Sequence, residues 1–188
     1  MIPNKVEEKI KFVLNSKFGG NISILDVQSV SGGCINNSCK IISNYGEFFL
    51  KWNLHCSDKM FEAESKGLKI LSESNSLYIP KIIFSGENFL LMEFLEEGVK
   101  NSDFWEKFGR GLSEMHQKTN SSYGLDHDNF IGSLDQKNNF ENSWSDFFIN
   151  QRILPQLALG NFSPDFHSSF DKLFVKLDSL FPKEPPSL

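Results

Sequence analysis

The chain has 188 residues, 39% of them hydrophobic and 23% charged, with a formal net charge of −5. That length accommodates one domain or two small lobes, and the acidic balance excludes the clustered basic footprint of a nucleic-acid binder. No apolar run approaches a membrane span, the N-terminus lacks the apolar core of a signal peptide, and the three cysteines, Cys34, Cys39 and Cys56, lack metal-ligand spacing. A cytoplasmic, reduced protein without nucleic-acid or membrane partners is expected.

The first predicted element is a helix over Val6 to Phe18, with Val6, Ile10, Val13 and Leu14 on one face and Gly19-Gly20 as its stop. Ile22 to Val30 reads as a strand, Gly32-Gly33 turns it, and Ser38 to Ser43 returns. Asn44-Tyr45-Gly46 is a turn signal before a third strand, Glu47 to Trp52. Asp58 is the expected N-cap of a helix reaching about Ser74. Pro80 to Phe84 and Phe89 to Phe94 complete five strands. The pattern then turns helical: Phe104 to Lys118, Trp144 to Leu159 with Pro155 shortening or kinking it, and Ser163 to Leu180, with Ser163 as cap and Pro164 at the first helical position. Ser121 to Asn142 reads as a long polar loop.

Four of these elements occur in the order required by the nucleotide lobe of a kinase. The first is the glycine turn Ser31-Gly32-Gly33-Cys34-Ile35-Asn36. Glycines let backbone N–H groups approach phosphate oxygens; the alternative is a simple hairpin turn, and no Walker A lysine follows. The second is Lys51 in Phe48-Phe49-Leu50-Lys51-Trp52, where alternation puts Phe49 and Lys51 on one face. The third is Glu64, on the helical stripe of Met60, Gly67, Leu68 and Leu71. Pairing would satisfy both charges and aim the ammonium at phosphates; the alternatives are a plain structural ion pair or two unrelated snorkelling side chains. The fourth is Met92-Glu93-Phe94-Leu95, a strand end at the change from strands to helices. It is either a backbone adenine site or an exposed strand terminus.

Other residues carry less specific signals. Cys34 follows the glycines, where a field that attracts anions would favour its thiolate, making it a candidate redox residue that reacts faster than Cys39 or Cys56. Gly124-Leu125-Asp126-His127-Asp128-Asn129 offers His127, Asp128 and Asn129 for substrate contact or acid–base work, or as an Asx-rich turn that holds the loop. Arg152, on the Trp144 stripe, reads as a buried ion-pair partner.

These segments, together with Gly109 to Gln117, Tyr123 to Leu134 and Trp144 to Gln156, resemble the bacterial branch of the fructosamine (ketosamine) kinases, of aminoglycoside-phosphotransferase-like fold, across essentially the whole chain. The resemblance implies an α+β protein: a protein-kinase-like N-lobe over residues 1–95, with a five-stranded antiparallel sheet plus helix, then the first helices of a helical C-lobe over 96–188. It implies ATP and Mg2+ as cofactors and a small-molecule or protein-bound ketosamine as substrate, whose phosphorylation releases the amine and so repairs glycation. By the same resemblance Ser31, Gly32, Gly33, Cys34, Lys51, Glu64, Met92, Glu93 and Leu95 form the ATP site. Lys51 holds the α- and β-phosphates, Glu64 orients Lys51, and Glu93 to Leu95 is the adenine hinge.

In the family a Pro-Pro-Ser-Leu-like stretch leads into a His-Gly-Asp-Leu-Trp-x-x-Asn catalytic loop and then a magnesium-binding aspartate. Here Pro185-Pro186-Ser187-Leu188 are the last four residues. The expectation is a chain truncated before the catalytic loop, through a broken gene, a split gene or deliberate shortening. Its catalytic aspartate and magnesium ligands would then lie in the missing part, and the 188 residues alone would be inactive. Trp105, Phe108, Leu112, Trp144, Phe147 and Phe148 would lack cover, so either a homo-oligomer or the missing C-terminal part is the expected partner. The other readings are a non-catalytic nucleotide- or partner-binding module and a small-molecule kinase of the aminoglycoside phosphotransferase or choline kinase type.

Overall fold

From Phe48 to Trp52 buried and half-buried side chains alternate, and the architecture of the first half follows from that alternation. The computed structural model describes residues 2–31, 33, 35–160 and 162–181. The chain divides into two units, Met1–Phe108 and Gly109–Leu188.

In the first unit α1 (Asn4–Phe18) precedes β1 (Ile24–Ser29), β2 (Asn37–Ser43) and β3 (Gly46–Trp52). Helix α2 (Met60–Ser72) follows, then β4 (Ile82–Ser85) and β5 (Phe89–Glu93). The five strands form one antiparallel sheet in the order β1-β2-β3-β5-β4. A central strand covered on both faces is apolar on both, as β5 is; β3 is apolar on the α1 face and carries Glu47 and Lys51 beside Phe49 on the other. Phe48, Leu50 and Trp52 join Phe89 and Leu91 in a core that includes Val6, Ile10 and Leu14 of α1. The opposite face of the same strands carries Leu90 and Met92, which cluster with Phe61 of α2, and with Phe49 and Leu68 partly buried beside them. α1 ends as its sequence predicts: Gly19 takes φ +71° and its N–H donates to Asn15 O at 3.0 Å.

Helix α2 departs from expectation at its start. Asp58 does not cap it; Lys59 holds that position with no side-chain cap, and the Met60 N–H donates to Ser57 O at 3.0 Å. A turn of backbone thus supplies the acceptor that a side chain was expected to provide.

Helix α3 (Phe104–His116) begins in the first unit and runs across the division. The second unit contains the short strands β6 (Asn129–Ile131) and β7 (Leu134–Gln136), then α4 (Trp144–Phe148), a π-helical turn (Ile149–Ile153), α5 (Leu154–Leu159) and α6 (Pro164–Leu180). The predicted loop is therefore an ordered hairpin. β6 pairs with β7, and Tyr123 and Glu141 exchange two backbone hydrogen bonds of 2.9 and 2.8 Å at its base. Gly124 is required there: at φ +145°, an added Cβ would lie 2.7 Å from Asn138 O.

Pro155 neither ends nor breaks the helix that contains it. Proline lacks the N–H that would bond the carbonyl four residues earlier, that of Gln151. The chain widens into the π turn, and the Gln151 carbonyl accepts instead from Arg152 Nη1 at 2.9 Å. α6 starts as predicted, with Ser163 Oγ accepting from the Phe166 N–H at 3.3 Å.

Of the six large side chains expected to lack cover, Phe147 is buried, Leu112, Trp144 and Phe148 are half-buried, and Trp105 and Phe108 remain 69% and 43% exposed.

The two-faced core gives a direct stability test. Leu50→Ala, at a fully buried position of β3, is expected to lower the urea-unfolding free energy by about 2–5 kcal/mol. Phe12→Ala, on the exposed side of α1, is expected to change it by less than about 0.5 kcal/mol. Equal losses for the two would contradict the assignment of the core.

Candidate nucleotide site

Lys51 reaches the α2 face of the sheet because it is two residues from Phe49 and one from the buried Leu50. Glu64 meets it from the first turns of α2. Lys51 Nζ lies 2.8 Å from Glu64 Oε1 and 2.9 Å from Oε2, so the ammonium engages both carboxylate oxygens. Both side chains keep more than a quarter of their surface in solvent. A pair this accessible contributes about 0–1 kcal/mol to stability. The fold does not depend on it, and the ammonium stays within reach of a further anion.

Gly33 takes φ +92° with open space where a Cβ would be, a conformation suited to glycine. Gly32 and Cys34 lie outside the described residues. The exit of the turn is tied to β3: Asn53 Nδ2, just past the strand, donates to Ile35 O and to Asn36 Oδ1, each at 3.1 Å. Nothing in the sequence pattern singles out Asn53 for this, because its partners lie across the hairpin.

At the other end of β5, Met92 packs into the α2-side core, and the chain leaves the sheet at Glu93. The Glu93 carboxylate is held by Tyr78 Oη at 2.6 and 2.7 Å and by the Lys81 N–H at 3.2 Å. The Glu93 N–H donates to Lys81 O at 2.9 Å. The Tyr78 phenol and the Lys81 N–H hold the Glu93 carboxyl below the usual range, and the carboxylate in turn raises the Tyr78 phenol. Glu93 is thus neither a free strand end nor a side-chain ligand; its side chain pins the start of the segment after β5. Residues 94–100 make no backbone–backbone hydrogen bond among the described residues, which leaves their N–H and C=O groups available, including those of Leu95.

Burial suppresses the two described thiols. It pushes Cys39, in the sheet core, up to about 11, and it raises Cys56 as well.

In the second unit, His127, Asp128 and Asn129 converge on one buried side chain, Asn138, which is 1% exposed. Asn138 Nδ2 donates to His127 O at 3.1 Å and Asn129 Oδ1 at 3.0 Å, and the Asn138 N–H donates to Asp128 Oδ1 at 3.1 Å. His127 Nδ1 lies 2.6 Å from Asp126 Oδ1. These contacts tie the three residues into the loop. Among the described residues Arg152 pairs with no carboxylate, contrary to expectation. Its guanidinium donates to Lys137 O and Asn138 Oδ1, both at 2.7 Å, and lies over the Phe147 ring at 4.5 Å. Burial lowers its pKa.

The donor set of the first unit fits a nucleotide: a lysine aimed by a carboxylate, a glycine turn anchored beside it, and an extended segment with available backbone groups. Magnesium is a different case. Among the described residues no three His, Cys, Asp or Glu side chains converge to hold a metal. A separate cleft of about 340 Å³, between α2 and β4, is lined by Leu68, Lys69, Ile79, Lys81 and Ile82 among others and includes neither Lys51 nor Glu64.

The sequence profile described as fructosamine kinase matches residues 6–187. A "probable ketoamine kinase" of Synechocystis is 36% identical over 157 residues, covering 78% of this chain and 53% of that protein. A chloroplastic protein-ribulosamine 3-kinase of rice (subspecies indica) is 37% identical over 148 residues, covering 75% of this chain and 43% of the relative. The chain therefore spans about half the length of these relatives. A Thermobifida fusca crystal structure assigned to a fructosamine-3-kinase superposes with a TM-score of 0.79 at 26% identity, over 95% of this chain and 64% of that one. The α+β architecture, five antiparallel strands and then helices, is common to both.

Two expectations follow from the polar anchors. Because the ionised Glu93 is the bonded form, its contribution to stability is complete above the ordinary glutamate pKa of about 4.3 and disappears as pH falls through the lowered value. Tyr78→Phe is therefore expected to lower the melting temperature at pH 7 and to converge on wild type in acid; a constant gap would contradict the anchor. Asn138→Ala is expected to cost about 1–3 kcal/mol and to speed proteolysis within residues 121–142. Unchanged protease sensitivity would contradict its role as the hub of that loop.

Proposed function

Because the chain belongs to the fructosamine kinase family, we propose that it is the nucleotide-binding part of an ATP-dependent kinase that phosphorylates the sugar of ketosamines and so promotes deglycation. The observation that carries the reading is the Lys51–Glu64 pair, with both carboxylate oxygens within 2.9 Å of one ammonium on the sheet face that α2 covers. A lysine steered this way can bridge phosphate oxygens as a compact point charge. Glu64 orients it, Ser31 and the Gly32-Gly33-Cys34 turn cover the phosphates, and Met92 with the backbone of Glu93 to Leu95 receives the adenine.

ATP, when bound, supplies the transferable phosphoryl group. The residues of this chain bind and orient it. The acceptor-hydroxyl base and the magnesium carboxylates that kinases require are not assigned to any of the 188 residues. The proposal is that this polypeptide alone binds ATP without turning it over. Exposed Trp105 and Phe108 support self-association or cover by further polypeptide. No helix among the described residues is long and apolar enough to cross a membrane; a cytoplasmic location is part of the proposal.

Calorimetric titration of the 188-residue chain with ATP tests this. Binding is expected, with Lys51→Ala weakening it at least about tenfold, the equivalent of about 1.4 kcal/mol, and with no phosphorylation of a fructosyl-amine by the chain alone. ATP affinity indifferent to Lys51 would overturn the binding site. Turnover abolished by Lys51→Ala would overturn the catalytic incompleteness.

A further inference from the structure

Lys40, to which the sequence pattern assigns no role, sits between two carboxylates of the first unit. It lies on β2 directly across from Phe49. Side-chain alternation therefore puts it on the same face as Glu47, Phe49 and Lys51. Its ammonium lies 2.8 Å from Glu47 Oε2 on β3 and 2.7 Å from Glu96 Oε1, in the segment that follows β5. It also stands 4.4 Å from the centroid of the Phe94 ring. Only 12% of the Lys40 side chain is exposed. The bonds to Glu47 and Glu96 raise the Lys40 pKa, and the ammonium lowers that of Glu96.

These contacts have two physical consequences. First, Lys40 joins β2 to residues 94 and 96, which flank Leu95. The segment has no backbone ladder of its own among the described residues, and this side-chain clasp joins it to the sheet beyond Glu93. Second, two carboxylates on one ammonium leave a net charge of −1. The hinge end of the face repels phosphate, whereas Lys51 at the other end attracts it. Although Lys40 and Lys51 share a face, they do not compete for the same anion.

We propose that Lys40 is a positioning residue for the nucleotide: by clasping Glu96 and Phe94 it fixes the backbone of Glu93 to Leu95 at the separation from the sheet that a purine base requires. This rests on the nucleotide reading above. It predicts a division of labour, with Lys40 acting on the base and Lys51 on the phosphates.

Adenosine and ATP, each competing against a fluorescent ATP analogue on the 188-residue chain, separate the two roles. Lys40→Met keeps the apolar stem and removes the charge. It is expected to weaken adenosine and ATP by the same factor, about five- to tenfold, and Lys40→Arg is expected to restore both. Lys51→Ala is expected to weaken ATP and leave adenosine within about twofold. Glu96→Gln, at an exposed side chain, is expected to reproduce the effect of Lys40→Met and serves if that variant does not fold. A purely structural Lys40 would lower the melting temperature without moving adenosine affinity. Unchanged adenosine affinity in Lys40→Met or in Glu96→Gln, with ATP still weakened by Lys51→Ala, overturns the role of Lys40 alone. Failure of adenosine to compete in the wild-type chain, or indifference of ATP to Lys51→Ala, overturns the nucleotide reading and the clasp with it.

Discussion

The register of β3 is the constraint on which the first unit depends. Its even-numbered residues Phe48, Leu50 and Trp52 fill the core beneath α1, and its odd-numbered residues Glu47, Phe49 and Lys51 line the opposite face. A one-residue slip would exchange the two sets. It would bury Lys51 among Leu14, Ile41 and Leu91 and take three large apolar side chains out of that core. Hydrophobic burial of the even set, at about 1.5–3 kcal/mol per side chain, far outweighs the 0–1 kcal/mol of a partly exposed ion pair. The core therefore aims Lys51, and the ion pair with Glu64 only refines where its ammonium rests.

The strands, their order along the chain and the pairing of Lys51 with Glu64 could be read from the sequence because each depends on local periodicity. Alternation marked β3, a helical stripe marked the inner face of α2, and Ser163-Pro164 marked the start of α6. What escaped depends on partners far apart in sequence. Tyr78 holds Glu93 from 15 residues away, and Lys40 holds Glu96 from 56. Asp58 has the chemistry of a cap, yet a backbone turn at Ser57 serves α2 instead. Composition made residues 121–142 look like an irregular loop, because the order there comes from a buried asparagine and a two-strand hairpin too short to show a period. Pro155 signalled a disturbance, but not that Arg152 would satisfy the carbonyl that the proline orphans.

The two units differ in how they hold themselves together. The first relies on two apolar layers about a sheet, and its polar side chains are free to gather on one face. The second uses polar connections through Asn138, Gln151 and Arg152, in which each buried group has a partner. Such a network costs more when one member is removed than the same number of apolar contacts of equal size. The fructosamine kinase family match extends over both units, residues 6–187, and the chain spans about half the length of its relatives.

The central claim is that Glu64 acts on the nucleotide only through Lys51, and a double-mutant cycle on ATP affinity tests it most directly. Lys51→Met and Glu64→Gln would be measured singly and together by equilibrium titration. If the carboxylate works by aiming the ammonium, Glu64→Gln weakens ATP in the wild-type background and has no further effect once Lys51 is gone. Additive losses, or a Glu64→Gln variant that binds ATP as wild type does, would contradict the account.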